Sequence, residues 1–374
     1  APNSTDLTWE TVITKNIGLD LGFLNNRLNV SFDAYIRDTK DMLMAGKTLP
    51  GVYGASSPRM NVADLRTKGW EASVTWGDSF TLASKPFNYR IMAGIGDNTS
   101  KVTKYDNPNR TLTDPYEGQQ LGEIWGYVVD GYFKTDEEAR NYKVDQSFVN
   151  QMINASALDN GLHAGDLKFV DLDGNNKIEQ TTSANDRKDM KVIGNSLPRY
   201  NYNFGISADW YGIDFSVLFQ GIGKQNWYPG AETSMFWGPY SRPYASFIPS
   251  DFMSQVWSEE NTNAYFPRPR GYVALGSNRE LAVVNTKYLQ NLAYCRLKNL
   301  SIGYTLPDKW LSKIGFEKIR VYFSGENLLT FTKLHSDYID PEQASASNSW
   351  KTSKSDANIY PWAKTYSFGV DITF

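Results

Sequence analysis

Asp171, Asp173 and Asn175 place side-chain oxygens at the first, third and fifth positions of a short polar segment, with Gly174 between them and Glu179 shortly after. A hard cation such as Ca2+ wants oxygens on alternating positions of a tight turn, a backbone carbonyl near the seventh position (here Lys177) and a closing carboxylate. Ile178 suits the apolar eighth position. Two residues depart from that pattern. Asn176 stands where glycine usually makes the sharp turn, although asparagine tolerates left-handed backbone better than most residues. The twelfth position is Thr182, so the closing carboxylate falls to Glu179 or, across an insertion, to Asp186. The segment reads either as a structural Ca2+ loop or as an Asx-rich turn without metal.

A second constellation lies in the aromatic segment 224–286, with Trp227, Tyr228, Phe236, Trp237, Tyr240 and Tyr244 interleaved with Arg242, Arg268 and Arg270. Aromatic faces stack on sugar rings and guanidinium groups hold carboxylates. The plainer reading is that a loop of this length needs a small core of its own. Glu137, Glu138, Glu259 and Glu260 read as solvated charge. No glycine-rich phosphate loop, nucleophile elbow or metalloprotease motif occurs, and His163 and His335 are too distant in sequence to suggest a zinc site or a triad. The chain therefore reads as a non-enzyme.

The elements that would position these residues are strands. The 374 residues carry a net charge of −3 with no basic block, so nucleic acid is not an expected partner. One cysteine, Cys295, allows no internal disulfide. Mean hydropathy is −0.48, and no apolar run approaches the roughly 18 residues of a membrane helix. A barrel hides its hydrophobicity by alternating it, so this says nothing against one. The alternation is plain. Leu28, Val30, Phe32, Ala34 and Ile36 share one face, and Asn29, Ser31, Asp33, Tyr35 and Arg37 the other. Tyr366, Phe368, Val370, Ile372 and Phe374 repeat the pattern against Thr365, Ser367, Gly369, Asp371 and Thr373.

Strands are expected at about 11–22, 27–41, 61–77, 86–98, 199–210, 213–224, 287–306, 317–331 and 364–374. Connections alternate between short (24–26, 77–86, 211–212, 306–317) and long (43–60, 98–198, 224–286, 332–363). Outer-membrane barrels sort short periplasmic turns from long external loops in this way, and soluble sandwiches have no reason to. Tryptophan and tyrosine near strand ends, as at Trp70, Trp76, Tyr200 and Trp210, suit a membrane–water interface. An odd number of strands cannot close with both ends on one side, and hydrocarbon does not tolerate unpaired edges. Ala1 to Ser4 shows no charged region followed by an apolar one, as a signal peptide would. The expectation is therefore a piece of a longer polypeptide.

Several segments together resemble the carboxy-terminal part of SusC/RagA-type TonB-dependent transporters. They are Gly165 to Asn175, Val192 to Tyr200, Tyr288 to Tyr304, Gly325 to Lys333 and Tyr360 to Phe374, in the family's order and spread over most of the chain. The family has Gly where Asn176 stands and a shorter stretch before the pair matched by Asp186 and Arg187. The resemblance implies an all-β antiparallel barrel of about 22 strands, of which this chain supplies the last nine or so, with large extracellular loops at 98–198 and 224–286. It further implies active import of oligosaccharides or peptides through the outer membrane of a Gram-negative bacterium. The implied partners are a SusD-like surface lipoprotein, the amino-terminal strands and plug, outer-membrane lipid, and TonB acting through the plug-bearing part. The rivals are a passive porin or surface adhesin and a soluble carbohydrate-active β-sandwich using Glu259 or Glu342 as acid or base.

Overall fold

The computed structural model describes residues 7–46, 50–54, 57–149, 161–241, 247–269, 271–276, 279–311, 315–344, 354–355 and 360–374. The chain opens with β1 (Thr11–Phe23), β2 (Leu28–Ala45), β3 (Arg59–Leu82) and β4 (Lys85–Lys104). Short strands β5 (Glu123–Tyr127), β6 (Val129–Tyr132), β7 (Leu167–Phe169) and β8 (Met190–Asn195) follow. Then come β9 (Arg199–Trp210), β10 (Ile213–Lys224), β11 (Asn226–Pro229), β12 (Gln290–Asn291), β13 (Tyr294–Thr305), β14 (Lys318–Thr332), β15 (Lys354–Ser355) and β16 (Thr365–Thr373).

Nine of these form one sheet in the order β1-β2-β3-β4-β9-β10-β13-β14-β16, antiparallel at every step. Register makes the two faces chemically different. One row across the sheet reads Leu21, Val30, Val74, Ala93, Phe204, Phe219, Leu297 and Leu329. The neighbouring row reads Asp20, Ser31, Ser73, Gly94, Asn203, Gln220, Arg296 and Thr330. Since strand side chains alternate, the apolar rows of the middle of the sheet lie on one face and the polar rows between them on the other. The apolar side chains are not packed against a second layer: Ile17 is 73% and Phe368 83% exposed. An exposed apolar surface of this extent marks a face that meets something apolar.

Along β3 the apolar face is bounded by aromatics, with Trp70 at one end and the Phe80–Phe87–Trp210 row at the other. Ten residues of tilted strand separate them, a height of about 25 Å. Near the second boundary Trp76 Nε1 donates to the Tyr89 hydroxyl (2.9 Å) and Trp210 Nε1 to the Leu82 carbonyl (3.1 Å).

The strands run longer than the pattern predicts in several places. β3 and β4 extend to a two-residue turn, Ala83 and Ser84, both at positive φ (49° and 60°), where a ten-residue connection over 77–86 is expected. Asp78–Tyr89 and Phe80–Phe87 continue the pairing. That conformation matches the twist of a hairpin, but neither residue advertises it as Asn-Gly would. At the other end β2 reaches Ala45 and β4 reaches Lys104, past register shifts near Met42 and Asp64. β13 starts at Tyr294 rather than 287, because Gln290 and Asn291 pair instead with Trp227 and Asn226 of β11.

The long connections 105–198, 225–293 and 333–364 all leave the same end of the sheet and share a core. Tyr127, Phe169, Trp227, Trp237, Phe266, Tyr288 and Ile339 are buried together in it. This loop body and the polar face of the sheet carry the candidate sites.

Candidate functional site

The polar face has a shallow cavity of about 340 Å3 lined by Ser31, Asp33, Glu71, Asn98, Asn201 and Asn203, among others. Hydroxyls, amides and carboxylates at this density offer many weak hydrogen-bond contacts. Two glycines shape the face. A Cβ on Gly69 would lie 2.4 Å from the Tyr35 ring, and one on Gly369 2.3 Å from the Tyr322 ring. Each tyrosine therefore lies flat over the neighbouring strand. Arg320 clamps β10 to β14 through Asp214 (2.6 and 2.8 Å) and reaches Asp371 of β16 (3.2 Å).

Among the aromatic-loop candidates, Trp227, Tyr228 and Trp237 have 0% and Tyr240 1% exposure. Tyr228 donates to the Leu281 carbonyl (2.8 Å), Trp237 Nε1 to the Gly230 carbonyl (2.9 Å) and Tyr240 to the Pro267 carbonyl (2.6 Å). Their faces pack on other rings, with Trp237 and Tyr288 centroids 5.2 Å apart. Of the two readings, this burial favours the plainer one, with these four rings in the core of the loop body. Arg242 and Arg270 fall outside the described residues.

Arg268 is placed differently. It lines a cavity of about 790 Å3 together with Lys134, Asp136, Met253, Trp257 and Glu259. Gly165 builds this wall: at φ +83° it tolerates no side chain, since a Cβ would sit 2.6 Å from the Trp257 ring and 2.8 Å from Arg268 Cβ. Its carbonyl accepts from the Arg268 amide (3.0 Å). The Ala164 amide donates to Asp136 (2.8 Å) and holds that carboxyl below its ordinary range, aided by the charges of His163 and Arg268. The cavity thus has an apolar floor and charges of both signs on its walls. Lys134, Asp136 and Trp257 escape sequence reasoning because the wall comes from four separate segments, and Glu259 reads there as surface charge or, in the β-sandwich alternative, as an acid or base.

The Asp171 loop is held by its own side chains. Asp171 accepts from the amides of Gly174 and Asn176 (both 2.7 Å), and Asn176 takes the left-handed conformation at φ 62°. Asp171 and Asp173 converge with Asp189, their oxygens within 4.8 Å of one another. Asp189 is the carboxylate that sequence spacing misses. It is buried and accepts from the amides of Leu172 (2.8 Å) and Glu179 (2.7 Å). Burial pushes its carboxyl up from the ordinary range, and the nearby Asp173 and Asp171 add to this. Glu179 and Asp186, the expected closing ligands, face Lys188 instead (3.4 and 3.9 Å). Lys177 reaches back toward Glu179 (4.0 Å), and the Asn175 amide donates to Asp173 and Glu179 (3.2 and 3.0 Å).

Segment 333–344 is tied to β13 by charge. Arg296 donates to Asp340 and Glu342 (2.6 Å each), and Lys298 donates to Glu342 (2.7 Å). Both oxygens of Glu342 are engaged, as the acceptors of an ion-pair cluster. His335 stacks on Tyr265 at 3.5 Å between centroids and pairs through Nε2 with Gln255 Oε1 (2.8 Å).

Burial lowers the His335 pKa from 6.5, opposed by Asp337 and reinforced by Lys287. A histidine whose folded pKa is depressed contributes stability above pH 6.5 and loses it as pH falls, because the unfolded segment binds the proton more readily. Acidification from pH 7 to 5 is therefore expected to reduce hydrogen-exchange protection around Gln255, Tyr265 and His335. His335→Phe should abolish this pH dependence, and an unchanged profile in that variant would refute the assignment.

The family described as "TonB dependent receptor-like, beta-barrel" matches residues 1–328. The TonB-dependent receptor P3 of Formosa agariphila is 28% identical over 99% of this chain and 34% of its own length. The TonB-dependent receptor SusC of Bacteroides thetaiotaomicron is 24% identical over 99% of this chain and 32% of its own. Among solved structures, the RagAB peptide importer in its "open-open" state superposes with a TM-score of 0.70 at 22% identity, covering 99% of this chain and 35% of that one. The chain spans about a third of the length of the curated relatives it matches.

Proposed function

The chain belongs to the TonB-dependent receptor-like β-barrel family, and from that premise we propose that it forms part of the wall and outer mouth of an active importer in a Gram-negative outer membrane. The observation that carries this is the sidedness of the nine-stranded sheet. Its apolar face suits hydrocarbon, its polar face suits a wet lumen, and the long connections gather at one end. β1 and β16 are the two edges of that sheet. Hydrocarbon does not tolerate open edges, so further strands of the same transporter complete the wall. A plug in the lumen, moved by TonB at the expense of the proton gradient, and a SusD-like lipoprotein over the loop body are the partners this reading requires.

Cargo is an oligosaccharide or a peptide, held by many weak contacts so that it can leave as well as enter. The Arg268 cavity favours the peptide. Charges of both signs over an apolar floor complement a zwitterionic chain, and the aromatic platforms a neutral sugar would use are buried. The test is uptake of labelled short peptides and neutral oligosaccharides by cells carrying the full-length transporter. Peptide uptake that stops on loss of TonB supports the reading. Uptake indifferent to TonB would point to a passive porin, and preference for the neutral sugar would overturn the cargo assignment.

The Asp171, Asp173 and Asp189 oxygens fit a hard cation: three carboxylates converge, and no lysine neutralises Asp189 among the described residues. Ca2+ bound there would offset their mutual repulsion and brace 171–189, a structural role. Chelation is expected to lower the thermal midpoint of the full-length protein by a few degrees and to leave an Asp189→Asn variant unmoved. Equal response of both proteins would rule this site out.

A further inference from the structure

We infer that the outer rim of the apolar face on β1–β4 binds the phosphate groups of an outer-leaflet glycolipid. The inference rests on the outer-membrane reading above. Register places Lys15, Ile36, Lys68 and Thr99 in one row across these four strands. The next row toward the long connections holds Asp38, Arg66 and Lys101. The row on the other side is Ile17, Ala34, Trp70 and, on β4, Asp97, whose charge Arg199 takes up, so the lysines of β1 and β3 stand directly above the aromatic boundary of the apolar band.

The charges of this rim do not cancel. Arg66 grips Asp38 with two bonds (2.6 and 3.0 Å), and Lys40 grips Asp64 (2.7 Å). Lys15, Lys68 and Lys101 are exposed and have no ion-pair partner among the described residues. Strands sit about 4.8 Å apart, so Lys15 and Lys68 lie roughly 10 Å apart across β2, and Lys68 and Lys101 are diagonal neighbours roughly 7–8 Å apart. Three flexible ammonium groups at this spacing can converge on one multivalent anion. Below that row the face is apolar across all four strands, through Leu19, Phe32, Ala72 and Ile95 and then Leu21, Val30, Val74 and Ala93. A ligand that fits both surfaces carries phosphate at its head and acyl chains below it. A soluble phosphate would use only the lysines, and a protein partner would leave the apolar rows uncovered.

The test uses the full-length transporter, purified in detergent from its outer-membrane fraction. The probes are bis-phosphorylated lipid A, the same lipid dephosphorylated, and inorganic phosphate. Native protein is expected to bind the phosphorylated lipid roughly a hundredfold more tightly than a Lys15→Gln, Lys68→Gln, Lys101→Gln triple variant, about fivefold for each lysine. A triple Lys→Arg variant should bind as the native protein does, and the dephosphorylated lipid should not distinguish any of them. Equal affinity of the native and triple-Gln proteins for lipid A would overturn the site, and so would equal binding of the dephosphorylated lipid. Charge-dependent binding of inorganic phosphate at the same strength would assign the rim to a soluble anion instead. Should the transporter not fractionate with the outer membrane, the underlying reading fails and this site with it. Unchanged lipid affinity in a protein that does fractionate there removes the lipid site alone.

Discussion

Val74→Arg is expected to destabilise the full-length transporter by about 2–4 kcal/mol, the cost of a basic side chain at the middle of a barrel's lipid-facing band. Ser73→Arg, one residue away, should change stability by about 0.5 kcal/mol or less, as surface substitutions do. Val74 sits about midway between Trp70 and the Phe80 row and is 40% exposed. In a water-soluble protein that exposure would make arginine nearly harmless. Only hydrocarbon against the apolar face makes the same substitution expensive, so the pair of variants separates a barrel wall from a soluble sheet. The measurement is urea unfolding of transporter folded into lipid vesicles, with Val30→Arg as a second probe in the same row. A small, equal effect of Val74→Arg and Ser73→Arg would remove the lipid-facing assignment and the import reading with it.

The sheet was legible for a simple reason. A strand's period of two makes each side chain report its face, and Leu28 to Ile36 or Tyr366 to Phe374 can be assigned without any partner. Strand ends were less legible because alternation does not say where pairing stops. Ala83 and Ser84 turn without glycine or asparagine, and the bulges near Met42 and Asp64 let β2 and β3 run on past polar residues. The loop body was legible in composition and illegible in geometry. Trp227, Trp237 and Tyr240 announce a cluster of rings, and the choice between a binding platform and a core depends on what covers them. For Trp237 and Tyr240 that cover comes from Phe266 and Tyr288, distant in sequence. The acidic loop shows the same limit: spacing finds Asp171 and Asp173, while Asp189 is brought in by a chain reversal that no spacing rule encodes.

The second large effect lies where the sheet meets the loop body. Arg296→Met is expected to loosen segment 333–344 by about 3–5 kcal/mol, the range for removing one partner of a buried ion pair. Arg296 is 3% exposed and Asp340 5% on the side chain, so the guanidinium is the principal compensation for a carboxylate that water hardly reaches. Glu342 is better placed to survive, because Lys298 also holds it at 2.7 Å. Asp340 has more to lose, since it also accepts the Glu342 amide (2.9 Å) and the Trp362 amide (3.1 Å), so its displacement releases both flanks of the segment. Replacing both charges at once, as Arg296→Met with Asp340→Asn, should recover most of the loss, because the penalty comes from an unpaired buried charge more than from the missing attraction. Hydrogen exchange over 333–344 and 360–363 reads the effect locally, and a double-mutant cycle reads the coupling. An additive cycle would show that Arg296 acts by packing alone. A strongly coupled one would show that the ion pair itself joins segment 333–344 to the polar face of β13.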